Sequence, residues 1–227
     1  MRATFERELQ QVQDQLLAMG SEIEENLVKV ASIMTTYDIN AAKLMIRADE
    51  WVNEKRITIM MTCLTMIATQ QPTGRDMRLL ASIMEIAGEL ERIHDYVKGI
   101  ARISLLVGEQ PIPDFLATIL PQMAQYASQM MHQAMDAFVR RDAVLARTIP
   151  QADDLVDDLF KQAHREIAGY IMSDPTVVER ANYLQWAAHN LERSADRVTN
   201  VCEWIVYLVT GTYAEMDNET MLEALPA

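Results

Sequence analysis

Two stretches of this chain carry the same acidic string, Leu90-Glu91-Arg92-Ile93-His94-Asp95 and Leu191-Glu192-Arg193-Ser194-Ala195-Asp196. On a helix, residues four apart stand one above the other, so each string presents two adjacent carboxylates on one face. Such pairs suit hard cations, which take oxygen ligands.

The repetition extends upstream. Ala48-Asp49-Glu50-Trp51-Val52-Asn53-Glu54 answers to Ala152-Asp153-Asp154-Leu155-Val156-Asp157-Asp158, and Tyr37-Asp38 answers to Arg141-Asp142. Similarity sustained at a near-constant offset marks an internal duplication. Each string is therefore accompanied by a second acidic helix, with Asp49, Glu50, Asn53 and Glu54 in the first copy and Asp153, Asp154, Asp157 and Asp158 in the second. A lone E-x-x-x-D carries little weight in a chain with 33 acidic residues, most of which face water. Two copies in matching context, each beside a second acidic helix, point to oxygen-ligand sites for Mg²⁺, Mn²⁺, Zn²⁺ or iron.

The two sites are not expected to be equal. Glu192, Asp196, Asn200 and Glu203 fall along one stripe of the second copy, all able to present oxygen, whereas the first has Glu91, Asp95, Gly99 and Arg102. The fixed charge of Arg102 is expected to weaken cation binding there, or to bridge Glu91 and Asp95 without metal. Arg92 and Arg193 are expected to pair with neighbouring acids. His132, His164 and His189 have no partner at ligand spacing and read as surface or packing residues. Glu91 and His94 form an E-x-x-H, which di-iron carboxylate bundles use twice; here Ala195 occupies the matching place, so only one copy exists. That leaves a carboxylate-bridged oxidase or metal store, and a metal-free helical adaptor, as alternatives to a regulatory role. No nucleophile stands beside a base and no glycine-rich phosphate loop is present, so an enzyme is not expected.

The elements that must position these acids are helices. Seven Gly, seven Pro and 6% aromatics beside 16 Met describe an almost wholly helical chain. Phe5, Leu9, Val12, Leu16, Met19, Ile23, Leu27, Val30 and Met34 recur at three and four, predicting a first helix over about 4–36. Asp38 is the expected N-cap of a second helix reaching about Thr69, and Asp142 of a fifth over about 142–172. Thr73 and Asp76 resemble a capping box opening a third helix that ends near Val107. A fourth begins between Pro113 and Pro121, Pro150 should kink the fifth, and Asp174-Pro175 opens a sixth ending near Gly211. Short connections make neighbouring helices antiparallel. The expected fold is all-α, two tandem antiparallel three-helix bundles over 1–108 and 113–212, followed by an acidic tail over 213–227.

A chain of 227 residues, half of them apolar, can bury a sizeable core. The net charge of −13 argues against binding nucleic acid through its phosphates. No apolar run is long enough to insert directly in a membrane, and the polar start Met1-Arg2-Ala3-Thr4-Phe5-Glu6 is unlike a signal peptide, so a cytoplasmic protein is expected. Cys63 and Cys202 lie in apolar helical contexts and read as small core residues.

These features together resemble the PhoU family of phosphate-transport accessory proteins. The resemblance rests on Phe5-Glu6 with Leu9, Met19-Gly20, Pro72 with Asp76 and Arg78, both acidic strings, and Asn200-Val201-Cys202-Glu203 followed by Tyr207-Leu208 and Gly211. It implies a non-catalytic, homodimeric regulator that restrains the phosphate-starvation response. Such a regulator connects the ATPase subunit of a phosphate ABC transporter to a sensor histidine kinase. It also implies multinuclear metal clusters at E(D)-x-x-x-D motifs, carried here by Glu91 with Asp95, Glu192 with Asp196, and Asp153 with Asp157. Asn53, Gly99 and Arg102 depart from that pattern in the first copy, and Glu179 departs from it in the second.

Overall fold

The apolar stripe of the first helix is its buried face. In a computed structural model describing residues 2–216, α1 (Arg2–Thr36) sinks Val12, Leu16, Met19, Ile23, Leu27, Val30 and Met34 into the core, with Leu9 packed at its margin. Tyr37 takes a positive φ of 59° and ends the helix. Asp38 then caps α2 (Ile39–Gln70), its carboxylate accepting the Ala41 N–H at 2.9 Å. Helix α2 buries only a narrow edge, including Ala42, Met45, Val52, Ile59, Cys63 and Met66, and so lies on the outside.

Helix α3 (Arg75–Val107) is apolar on several sides, with Leu79, Leu80, Ile83, Ile86, Leu90, Ile93, Val97 and Ile100 all buried. Its start corrects one expectation. Gly74, at φ 56°, is the N-cap and contributes no side-chain bond, and Thr73 instead accepts the Asp76 N–H through its backbone carbonyl at 3.3 Å. The left-handed turn at Gly74 replaces the capping box, since glycine alone enters that conformation without strain.

Helix α4 (Asp114–Arg140) starts directly after Pro113 and runs through Pro121. Asp142 caps α5 (Ala143–Thr148) by accepting the N–H groups of Val144 and Leu145, each at 2.9 Å. The expected kink at Pro150 is a full interruption. The chain tightens into a 3-10 turn over Ile149–Ala152 before α6 (Asp153–Ser173) resumes, because proline removes a ladder donor and its ring crowds the preceding turn. Asp174 caps a second 3-10 turn (Pro175–Val177), and α7 (Val178–Thr210) ends at Gly211, φ 81°. No strand occurs among the described residues.

Packing follows from which helices are apolar on more than one side. Helix α3 lies along α7, α1 packs on both α3 and α4, and α4 packs on α7, which closes a ring of four. Helix α2 covers α3 from outside, and α6 covers α7 and α4. The duplication is thus expressed in space: α1 answers to α4, α2 to α6, and α3 to α7. The two three-helix repeats share one continuous apolar core running from Phe5 to Met216. Both cysteines are free and buried within it, and burial pushes the Cys63 thiol up to about 12.

Polar bonds register the α3–α7 seam. Glu89 accepts from Arg197 at 3.5 Å and from Asn200 at 3.2 Å, and the Ser82 hydroxyl donates to the Trp204 carbonyl at 3.1 Å. Gly99 lets the Asn190 side chain in, since a Cβ there would stand 2.7 Å from its Nδ2. Most of the expected acidic tail, 217–227, lies outside the described residues, but its beginning docks and Met216 is buried.

Asp142→Ala removes the acceptor for two backbone donors just ahead of the interrupted helix. Urea denaturation should show a loss of about 1–2 kcal/mol, largely restored by Asp142→Ser. A full-strength melt for the alanine variant would show that the cap carries no load.

Candidate metal centre

The interruption at Pro150 decides where the acids of the second repeat stand. Helix α6 begins at Asp153, with Asp157 one turn further on, and both face α7, where Glu192 and Asp196 lie one turn apart. A cleft of about 350 Å³ opens at this junction, lined by Asp153, Asp157 and Asp196, by Arg193 and Arg197, and by Pro150, Thr199, Asn200 and Met216.

The electrostatics are those of like charges gathered out of water. Burial, followed by the neighbouring charges of Asp196, Asp157, Glu192 and Asp154, pushes the Asp153 carboxyl up to about 7. Burial and then Asp196 push Glu192 up to about 7 against the opposing pull of Arg193. Asp157 is raised as well, by burial first and then by Asp196, Asp154 and Asp158, while Lys161 opposes. Helix α6 directs the positive end of its dipole at Asp153, which ordinarily lowers a carboxyl pKa; crowding and burial outweigh it. Asp153 Oδ1 and Thr199 Oγ1 are buried without a hydrogen-bond partner, and the buried Glu192 Oε2 has only His189 Nδ1 beside it, at 3.3 Å.

Unpartnered buried carboxylate oxygens beside further carboxylates fit a hard cation, which would supply the missing positive charge. Asp153, Asp157, Glu192 and Asp196 are the residues to hold it. Among the described residues no three His, Cys, Asp or Glu side chains converge tightly enough to coordinate an ion as they stand. Rotation of these side chains has to close the set. Arg193 sits at the rim, bonded to Asp196 Oδ2 at 2.5 Å, in keeping with the neighbour pairing expected for it.

Other expected ligands are engaged elsewhere. Glu203, only 4% exposed, accepts the Tyr213 hydroxyl at 2.8 Å and the Met216 N–H at 2.7 Å. The turn at Gly211 brings the following segment back over α7, so this carboxylate anchors the stretch from Tyr213 to Met216. Asn200 borders the cleft but donates across the repeat seam to Glu89. Asp154 is exposed, and Asp158 is exposed and pairs with Lys161 at 3.4 Å. His189 does have a carboxylate neighbour, Glu192 at 3.3 Å, and packs against the Phe160 and Trp186 rings. Burial and then Arg193 hold its pKa below the ordinary value, so the imidazole is neutral and adds no counter-charge near neutral pH.

The first repeat resolves its acids differently. Lys98 Nζ lies 2.8 Å from Asp49 Oδ1 and 2.5 Å from Asp95 Oδ1, and Asn53 Nδ2 donates to Asp49 Oδ2 at 3.2 Å. Burial works against the Lys98 charge, but bonds from Asp49 and Asp95 outweigh it and hold its pKa above the ordinary range. The cation bridging the first copy is therefore Lys98, whereas the expected Arg102 is exposed. Glu91 is raised by burial and then Asp95, with Arg56 of α2 opposing, and Glu50 is exposed. Arg92 pairs with Glu89 at 3.3 Å. His94 is wholly buried with neither ring nitrogen hydrogen-bonded, and burial depresses its pKa. Lys98 had a legible signal: it lies three residues past Asp95, a pairing distance on a helix. It also falls opposite the uncharged Thr199 in the internal alignment.

The PhoU domain family matches residues 16–104 and 120–205, one segment in each repeat. Over 208 residues the chain is 33% identical to the phosphate-specific transport system accessory protein PhoU homolog of Pseudomonas aeruginosa, spanning 92% of this chain and 86% of that one. It is likewise 33% identical over 207 residues to the phosphate-specific transport system accessory protein PhoU of Escherichia coli K12, spanning 91% and 86%. The crystal structure of the phosphate transport system regulatory protein PhoU from Streptococcus pneumoniae superposes with a TM-score of 0.84 at 30% identity, spanning 92% of this chain and 99% of that one. That of PhoU from Pseudomonas aeruginosa superposes with a TM-score of 0.83 at 34% identity, spanning 92% and all of that chain. With a PhoU domain in each half of its duplication and this degree of identity along most of its length, the chain belongs to the PhoU family.

Proposed function

We propose that this protein is a negative regulator of the phosphate-starvation response, acting as a homodimer that docks between the ATPase of a phosphate ABC transporter and a sensor histidine kinase. The observation that carries this reading is the near full-length identity to proteins named as phosphate-specific transport accessory proteins. The chemistry of the chain is compatible with docking. No helix among the described residues is long and apolar enough to cross a membrane, and the polar cleft at the α6–α7 junction offers charge neutralisation.

In this reading an ion at Asp153, Asp157, Glu192 and Asp196 fixes α6 against α7 and so fixes the shape of the surface those helices present. Without it, the carboxylates repel one another and burial penalises their charge. Metal bound only by the folded state adds stability by mass action.

The pH dependence has a definite sign. Asp153 and Glu192 have folded-state values near 7, above ordinary values of 3.8 and 4.5, so between those limits the folded protein holds more protons than the unfolded one. Their penalty is absent below about pH 4 and complete above about pH 7, so metal-free stability falls across that window. After solvent screening the fall is on the order of 1–2 kcal/mol. Thermal melting of chelated protein should show it, Asp153→Asn should flatten it, and Mn²⁺ should reverse it near neutral pH. Identical pH profiles for the chelated parent and Asp153→Asn would remove these carboxylates from the account.

The regulatory role is tested by deleting the gene in its host and reading a phosphate-starvation reporter in phosphate-rich medium. The reporter should turn on, and the intact gene should silence it. A reporter that stays off in a host with no second copy contradicts the assignment.

A further inference from the structure

The two acidic sites descend from one duplicated unit, yet the side chains around them have diverged in opposite directions. At matched positions Asp49 answers to Asp153, Asn53 to Asp157 and Lys98 to Thr199. In the first repeat both oxygens of the aspartate are satisfied from within the chain, Oδ1 by Lys98 and Oδ2 by Asn53. In the second, Asp153 Oδ1 is buried without a partner, a carboxylate replaces the amide, and the neutral Thr199 hydroxyl is itself unpartnered.

We propose that Lys98 is a built-in counter-cation that closes the first acidic site to metal, so that this chain binds an ion in its second repeat alone. This rests on reading the second site as a metal centre. Lys98 reaches across from α3 to α2 and ties Asp49 to Asp95, the same two helices that a bound ion would tie together. Its ammonium is largely covered, at 16% side-chain exposure, as is Asp49 at 20%. A dication competing for these oxygens must expel the ammonium, then bear its repulsion from one side-chain length away. It gains little in return, because Asn53 supplies a neutral amide where the second repeat has Asp157. A tethered cation also competes at the high effective concentration of an intramolecular partner. The metal's structural task in the first repeat is thus performed permanently by the chain.

The cation at the second site has a different role. Arg193 holds Asp196 at Oδ2 and leaves Asp153 Oδ1 unpartnered, while Glu192 Oε2 faces only His189 Nδ1 at 3.3 Å. The counterpart of Arg193, Arg92, turns to Glu89. Arg56 also stands near Glu91, but Lys98 is the cation that bonds acids of both helices, Asp49 and Asp95.

The test is Mn²⁺ content by elemental analysis of full-length protein after equilibration and desalting, with circular dichroism to verify folding. In the parent, Glu192→Ala with Asp196→Ala should remove the bound Mn²⁺, and Glu91→Ala with Asp95→Ala should leave it unchanged. Lys98→Thr combined with Asn53→Asp copies the second repeat's residues into the first and should about double Mn²⁺ per chain. Lys98→Arg, which keeps the charge, should add none. Thr199→Lys should abolish binding in the second repeat. Mn²⁺ lost with Glu91→Ala and Asp95→Ala while Lys98 is intact overturns the proposal, as does a folded Lys98→Thr, Asn53→Asp variant that gains none. A parent that binds no Mn²⁺ anywhere overturns the statement that the second repeat binds an ion, and whether the Lys98→Thr, Asn53→Asp variant gains Mn²⁺ then decides the closing role of Lys98 alone.

Discussion

Four carboxylates gathered at the α6–α7 junction repel one another, and the helices that hold Asp153, Asp157, Glu192 and Asp196 together must do so against that force. The apolar seam does the holding. Helices α6 and α7 are fixed by buried residues such as Val156, Ala163, Leu191, Ala195 and Val198, each fully buried Val or Leu contributing about 1.5–3 kcal/mol and each alanine methyl about 0.8 kcal/mol. Core packing thus supplies the energy that keeps the acids close, and the pKa values of Asp153 and Glu192 are raised first by burial and then by the neighbouring carboxylates. The cation proposed for this junction would relieve the repulsion and would couple the local geometry of α6 and α7 to metal supply.

The same unit in the first repeat has no such demand. Lys98 and Asn53 satisfy Asp49 from within the chain, so α2 and α3 are joined whatever the medium contains. In the proposed reading the protein pairs one constitutive clamp with one that depends on an ion. The repeats meet along α3 and α7, where Glu89 bonds Arg197 and Asn200. Arg197 and Asn200 also line the second cleft, so a change at the ion-dependent site is in contact with the permanently clamped half.

Periodicity made the fold legible: every residue of the first-helix stripe except Leu9 is buried, and the caps at Asp38 and Asp142 form because local side-chain chemistry is enough to specify them. The duplication located both acidic helices. What was not legible depended on contacts distant in the chain or on competition between close alternatives. The engagement of Glu203 by Tyr213 and Met216 requires the chain to turn back at Gly211, and the Asn200–Glu89 bond requires knowing that α3 lies on α7. Helical spacing placed both residues on the acidic stripe and said nothing about these partners. Pro150 signalled a distortion without revealing that a 3-10 turn would absorb it. Lys98 was accessible from spacing alone, but the fixed charge of Arg102 at a matched position drew the comparison one turn too far.

The central claim, that incompletely compensated carboxylates at the α6–α7 junction form an ion site which the first repeat has closed with Lys98, is most directly tested by crystal diffraction with Mn²⁺ at its anomalous edge. The account predicts anomalous density among Asp153, Asp157, Glu192 and Asp196, with Lys98 Nζ still seated between Asp49 and Asp95. Density between Asp49 and Asp95 with Lys98 displaced, or none at the second cleft in crystals grown with abundant Mn²⁺, would contradict it.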